Sequence, residues 1–228
     1  MSLPNRSVLW QFGLSAYWFA VSLKWFVLLT AILPAQVREM VPGGEEGTYW
    51  GRVVMLGAIW AMFGPALFGY ISDRTRARFG KWKPYVALGS ALTVVALMVL
   101  SNPENYLVIV LGYLLLQVSD DIGQGPYSAL IPSLVSEEQR GRASGIMAFL
   151  QMSAQFAGGV LAIQFLVLER IDLLYVSLAL INILCALITI IVVREKLLVT
   201  EKKQEKFWTA WIKPWKDRDF RWLWFTRF

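Results

Sequence analysis

Two adjacent aspartates, Asp120 and Asp121, lie inside one long, mostly apolar stretch, and Lys24 lies inside another. A charge buried at membrane depth is costly, so each of the three is a functional candidate. Carboxyl groups in such a place hold a cation or a proton, or accept hydrogen bonds from a polar solute, and an amine donates them. At about 100° per residue, Gln117, Asp120, Asp121, Gln124 and Ser128 fall within an arc of roughly 100°, with Tyr113 and Tyr127 near its edge. Such a polar stripe in lipid must face protein or a wet cavity. Packing needs no negative charge, so the two carboxyls favour a cavity, whereas the glutamines and Ser128 fit helix glue equally well.

Other stretches offer matching groups. Ser144, Ala148, Gln151, Gln155, Gly158 and Ala162 share one small and polar face, from which the two glutamines reach a cavity. Tyr17, Trp18 and Trp25 supply rings able to stack on a sugar, although a tryptophan facing lipid is the plainer reading. Asn182 reads as helix glue. In a dry site a lone acid or amine favours its neutral form and a paired one its charged form. Lys24 is therefore expected to pair with Asp121 or Asp120, in a bridge broken or remade as solute or proton enters. These residues form the expected site: Tyr17, Trp18, Lys24, Gln117, Asp120, Asp121, Gln124, Tyr127 and Gln151 for solute, with Asp121, Asp120 and Lys24 for coupling.

The elements that hold them are transmembrane helices. Of 228 residues, 57% are hydrophobic, 17% are charged and none is histidine. Six apolar runs stand out, at about Val8–Pro34, Trp50–Ser72, Pro84–Leu100, Asn105–Leu134, Ala143–Leu168 and Ile171–Val193. Roughly 20 such residues cross the hydrocarbon core as a helix, and none of the runs alternates as a barrel strand does. The absence of histidine removes Ser-His-Asp triads, Cys-His pairs and the usual zinc sites, and the lone Cys185 allows no internal disulfide. No metal, cofactor or enzymatic activity is expected.

Charge orients the runs. Eighteen of the 22 Lys and Arg fall on one side: Arg6, then Arg74 to Lys83, then Arg140 and Arg142, then the tail from Arg194. Arg38, Arg52 and Arg170 fall on the other. The positive-inside rule places both ends in the cytoplasm of a cell membrane, inner or plasma. The net charge of +6 is thus explained without nucleic acid. The chain is expected to divide into a six-helix bundle over 1–193, an interfacial amphipathic linker over 194–219 rich in tryptophan, and the start of a seventh helix over 220–228.

The loop Gly69-Tyr-Ile-Ser-Asp73-Arg74-Thr-Arg76-Ala-Arg78-Phe-Gly80-Lys81-Trp-Lys83-Pro84 follows the second run. It resembles the signature loop of the major facilitator superfamily, in the form found in glycoside–pentoside–hexuronide:cation symporters and sucrose transporters. Asp121-Ile-Gly-Gln124-Gly-Pro126-Tyr127-Ser-Ala-Leu130-Ile-Pro132, with Glu138-Gln-Arg140-Gly-Arg142, is similar to the fourth helix and next loop of the same families. The resemblance implies an all-α membrane protein, one half of a twelve-helix carrier, built as two inverted three-helix repeats with the solute near the midplane. It gives Gly69, Asp73, Arg74, Arg78, Gly80, Lys81 and Lys83 signature or gating roles.

The match departs in the second helix. The symporters resemble Ile-Trp-Asp-x-x-x-Asp-Pro there, with paired acids for the coupling cation, but this chain reads Ile59-Trp60-Ala61-Met-Phe-Gly64-Pro65. Sodium wants several oxygens, so a proton-coupled or facilitative carrier is the expectation. Its partners are the bilayer, a small polar solute such as a sugar or glycoside, and a second six-helix half, supplied by further sequence, a separate chain or a second copy of this one. The rival reading is a membrane-embedded binding or assembly factor that kept the architecture and lost coupling.

Overall fold

The computed structural model describes residues 5–75, 80–193, 216–219 and 221–222. The chain divides into two units, Met1–Glu195 and Lys196–Phe228. In the second, residues 218–219 and 221–222 are helical. The expected linker over 194–219 and helix start over 220–228 otherwise lie outside the described residues.

The described part of the first unit is helical: α1 (Val8–Val27), a π-helical turn (Leu28–Ile32), α2 (Leu33–Met40), α3 (Glu46–Ala61), α4 (Gly64–Arg74), α5 (Lys83–Ser101), α6 (Tyr106–Ser128), α7 (Leu130–Leu134), α8 (Glu137–Val167) and α9 (Ile171–Val192). These merge into six runs long and apolar enough to cross a membrane, namely Val8–Met40, Glu46–Arg74, Lys83–Ser101, Tyr106–Leu134, Glu137–Val167 and Ile171–Val192. The hydropathy reading therefore holds for all six, while the helices overrun it at their polar ends. Local chemistry sets several of those ends. Ser7 and Asn105 accept from the backbone N–H three residues on, at 3.2 and 3.1 Å, and satisfy donors a first turn leaves unpaired. Helix α8 closes with Glu169 at φ 52°. There Glu169 N donates to Leu166 O and Arg170 N to Phe165 O, a left-handed stop that satisfies its last carbonyls.

Helix α6 packs between α4 and α5, while α1 packs on α8 and α9, and α9 joins the two groups by packing on α5. Glycine sets the spacing around α6. A Cβ at Gly125 would lie 2.5 Å from Pro65 O and 2.8 Å from Gly69 N. One at Gly89 would lie 2.6 Å from Ser119 O. One at Gly69 would approach no closer than 3.5 Å to Gly125 O, an ordinary contact. The α4–α6 crossing thus depends on Gly125 more than on Gly69. Gly125→Ala is expected to lower stability by about 1–3 kcal/mol or prevent folding, because backbone on the facing helix cannot yield as a side chain can. Gly69→Ala should be nearly neutral. Thermal unfolding of both variants in detergent checks the difference.

Polar groups inside the bundle bind helix to helix. Thr189 of α9 accepts from Tyr17 N at 3.0 Å and donates to Gly13 O at 2.9 Å on α1. Gln36 of α2 donates to Leu100 O and accepts from the Tyr175 hydroxyl, both at 2.9 Å. Asn182 Nδ2 donates to Ser90 O at 3.4 Å. Thr189 and Gln36 thus have protein partners in place of water, as hydrocarbon surroundings require, while Asn182 Oδ1 is buried without a hydrogen-bond partner.

Candidate functional site

Successive residues on a helix point about 100° apart, and α6 sends its two aspartates to different neighbours. Asp120 turns to α1 and α5. Its carboxylate accepts from Lys24 Nζ at 2.5 Å, from Thr93 Oγ1 at 3.1 Å and from the Trp25 indole N–H. The Lys24 and Asp120 side chains are 0% and 1% exposed. An ion pair this deep is favoured when further hydrogen bonds satisfy its carboxylate, and Thr93 and Trp25 supply them to Asp120. The result is a knot of four side chains from three helices.

Asp121 turns to the other side. Gln117, one turn earlier, donates from Nε2 to both carboxylate oxygens at 3.3 and 3.4 Å. Opposite stands Gly64 at the start of α4. A Cβ there would overlap Asp121 Oδ2 and lie 2.8 Å from Trp60 Nε1. The bare glycine therefore makes the space the carboxyl group occupies. Trp60 Nε1 is buried beside it without meeting the geometry of a hydrogen bond. Gly64→Ala is expected to displace the Asp121 carboxyl group, weaken solute binding about tenfold and lower stability by about 1–3 kcal/mol. Binding and melting measured on the same preparation check both effects.

An open cavity of about 480 Å³ lies at this place, a size suited to a small organic ligand. Helix α1 lines it with Trp18, Ser22, Trp25 and Phe26, and Thr30 follows on the π-helical turn. Ala61 and Pro65 come from α3 and α4, Gln117, Asp121 and Gln124 from α6, and Gln151 and Gln155 from α8. Trp18 Nε1 donates to Gln151 Oε1 at 3.2 Å, joining α1 to α8 in the wall. Asp121 is recessed, with 2% of its surface exposed, and is the one ionisable group in this lining. The arrangement offers amide donors and acceptors, indole faces and a single carboxylate, groups whose chemistry suits a hydroxyl-rich solute.

Of the residues singled out from the sequence, Trp18, Gln117, Asp121, Gln124 and Gln151 meet in this wall. Lys24, Asp120, Tyr17 and Tyr127 lie behind it. Tyr127 donates to Leu14 O at 2.8 Å and stacks on Trp18, with Tyr17 edge-on at 5.1 Å. Both tyrosines are core packing that supports the Trp18 ring. Of the alternatives for Lys24, the pair is with Asp120, away from the cavity. Thr93, Trp60 and Gly64 were not singled out. Thr93 announces itself only as one hydroxyl in an apolar run, and Gly64 only as a missing acid.

In the signature loop, Gly69 faces Gly125 and Asp73 is exposed in the last turn of α4. The Arg74 guanidinium lies 3.4 Å from the Tyr70 ring centroid. Gly80 has φ 101°, a conformation that favours glycine, and Lys81 is half-buried. Lys83 Nζ donates to Ile190 O at 2.8 Å, placing its charge at the negative end of α9. Arg78 lies outside the described residues.

The chain is similar to known transporters. It is 23% identical to the sucrose transport protein SUC4 of Arabidopsis thaliana over 53% of its own length and 26% of that protein. It is 22% identical to the lactose permease of Lactobacillus helveticus over 60% of its length and 23% of that protein. It thus spans about a quarter of each relative. The family described as MFS/sugar transport protein matches residues 11–227, nearly the whole sequence. With six membrane-length helices, four of which line a polar cavity, the chain belongs to that family of membrane transporters, which are not enzymes.

Proposed function

We propose that the chain is one six-helix half of a secondary transporter, moving a small polar solute, a sugar or glycoside, by alternating access. The observation that carries this reading is the open cavity, where Asp121, four glutamine amides and two indole rings converge. Such a polar wall cannot face hydrocarbon, so further protein must cover its open side. A second six-helix half, on the same polypeptide or another, supplies that cover. The excess of Lys and Arg on one side supports cytoplasmic ends in an inner or plasma membrane. Two three-helix repeats of inverted topology fit the order of helices.

Coupling chemistry follows from which acid meets the cavity. Asp120 is held by three donors, whereas Asp121 accepts from Gln117 with the Trp60 indole nitrogen beside it. Gly64 and Ala61 bring no second carboxylate, so the wall lacks the oxygens a sodium ion wants. A proton on Asp121, or no coupling ion, suits this geometry.

Uptake of labelled sucrose and lactose tests the reading. The chain alone in proteoliposomes is expected to bind without transporting, and to transport when six further spans are supplied. Binding without uptake in both forms favours an embedded binding factor. No binding of any sugar overturns the sugar reading.

A further inference from the structure

We propose that the wall this chain supplies selects against negatively charged solutes, so that a neutral glycoside binds and the matching uronide does not. The inference rests on the sugar reading above and narrows its substrate class.

Lys24 is the one cation buried among the membrane helices in the described residues, and an anionic solute needs such a partner. It is spent elsewhere. Its ammonium group sits 2.5 Å from Asp120 with no exposed surface, and it does not line the cavity. Asp120 in turn is held by Thr93 and by the indole N–H of Trp25. Trp25 thereby has its donor turned towards the knot while its side chain still lines the cavity. Releasing Lys24 towards a solute would leave the buried Asp120 carboxylate without its counter-charge, which a low-dielectric interior strongly opposes.

What remains in the wall, once Asp121 has given up its proton, is one negative charge and a set of neutral groups. Asp121 is recessed among protein atoms, where charge interactions are screened far less than in water. A carboxylate brought into the same cavity meets this like charge and finds only amides and hydroxyls to solvate it. The hydroxyls of a neutral sugar instead donate to Asp121 and exchange hydrogen bonds with Gln117, Gln124, Gln151 and Gln155. Specificity of this kind comes from a repulsive element as much as from an attractive one.

The test compares methyl β-glucoside with methyl β-glucuronide, which differ at one carbon, as ligands of the full chain in nanodiscs. Intrinsic tryptophan fluorescence gives the readout, since Trp18 and Trp25 line the site. Binding is read in mildly alkaline buffer, which favours the ionised form of the Asp121 and glucuronide carboxyl groups. The glucuronide is expected to bind about tenfold more weakly or worse, and Asp121→Asn to bring the two within about threefold of each other. Equal or tighter binding of the glucuronide by the unaltered chain overturns the inference and leaves the sugar reading standing. Failure of both glycosides to bind overturns the sugar reading, and the inference with it.

Discussion

Lys24→Met is expected to destabilise the bundle by about 3–5 kcal/mol, the largest loss of any single substitution considered. The lysine is fully buried, and its removal leaves the Asp120 carboxyl group without its counter-charge, with Thr93 and Trp25 as its remaining donors. Replacing both partners tells a different story. Lys24→Met with Asp120→Asn removes both charges together and keeps an amide oxygen to accept from Trp25 and Thr93. The double variant should recover most of the loss, since a buried pair exchanged for neutral groups of similar volume is often near neutral. Melting of the single and double variants in nanodiscs decides it. A single variant as stable as the parent would show that Lys24 reaches solvent and is not held in the knot.

Asp121→Asn is expected to act in the opposite way, with large effects on solute and small ones on stability. The asparagine keeps the shape over Gly64 and a bond with Gln117, so melting should shift by less than about 1 kcal/mol. Sugar affinity should fall by about ten- to a hundredfold, as expected when a solute hydroxyl loses a charged acceptor. If the assembled transporter couples to protons, its uptake rises when the outside is acidified, and the variant should lose that response. Uptake with and without an imposed proton gradient measures both. Gradient-stimulated transport surviving in Asp121→Asn would place the proton acceptor outside this chain's cavity wall.

The contrast between the two aspartates shows where sequence reasoning reaches its limit. A helical projection places Asp120 and Asp121 in one polar arc, because an arc of about 100° is also the angle between neighbours. In the bundle that angle separates two environments. Asp120 meets Lys24 and Thr93 on helices far away in sequence, and Asp121 meets the bare backbone of Gly64. Tyr127, at the edge of that arc, and Tyr17, a ring that could stack on a sugar, form the packing behind Trp18. Gly64 was legible as a missing carboxylate, but its use as space for a carboxylate on another helix was not.

Sequence alone determined the six spans, since transfer of an apolar run into hydrocarbon depends on composition and length within that run. It also determined which side chains are out of place in lipid and must have a reason to be there. Only the tertiary structure decided which of them bind each other and which remain for a solute. That division depends on contacts such as Lys24 with Asp120, 96 residues apart, and on crossings that Gly125 and Gly89 hold to backbone distance. No local pattern encodes such contacts, because each is made by the faces that helices present once packed.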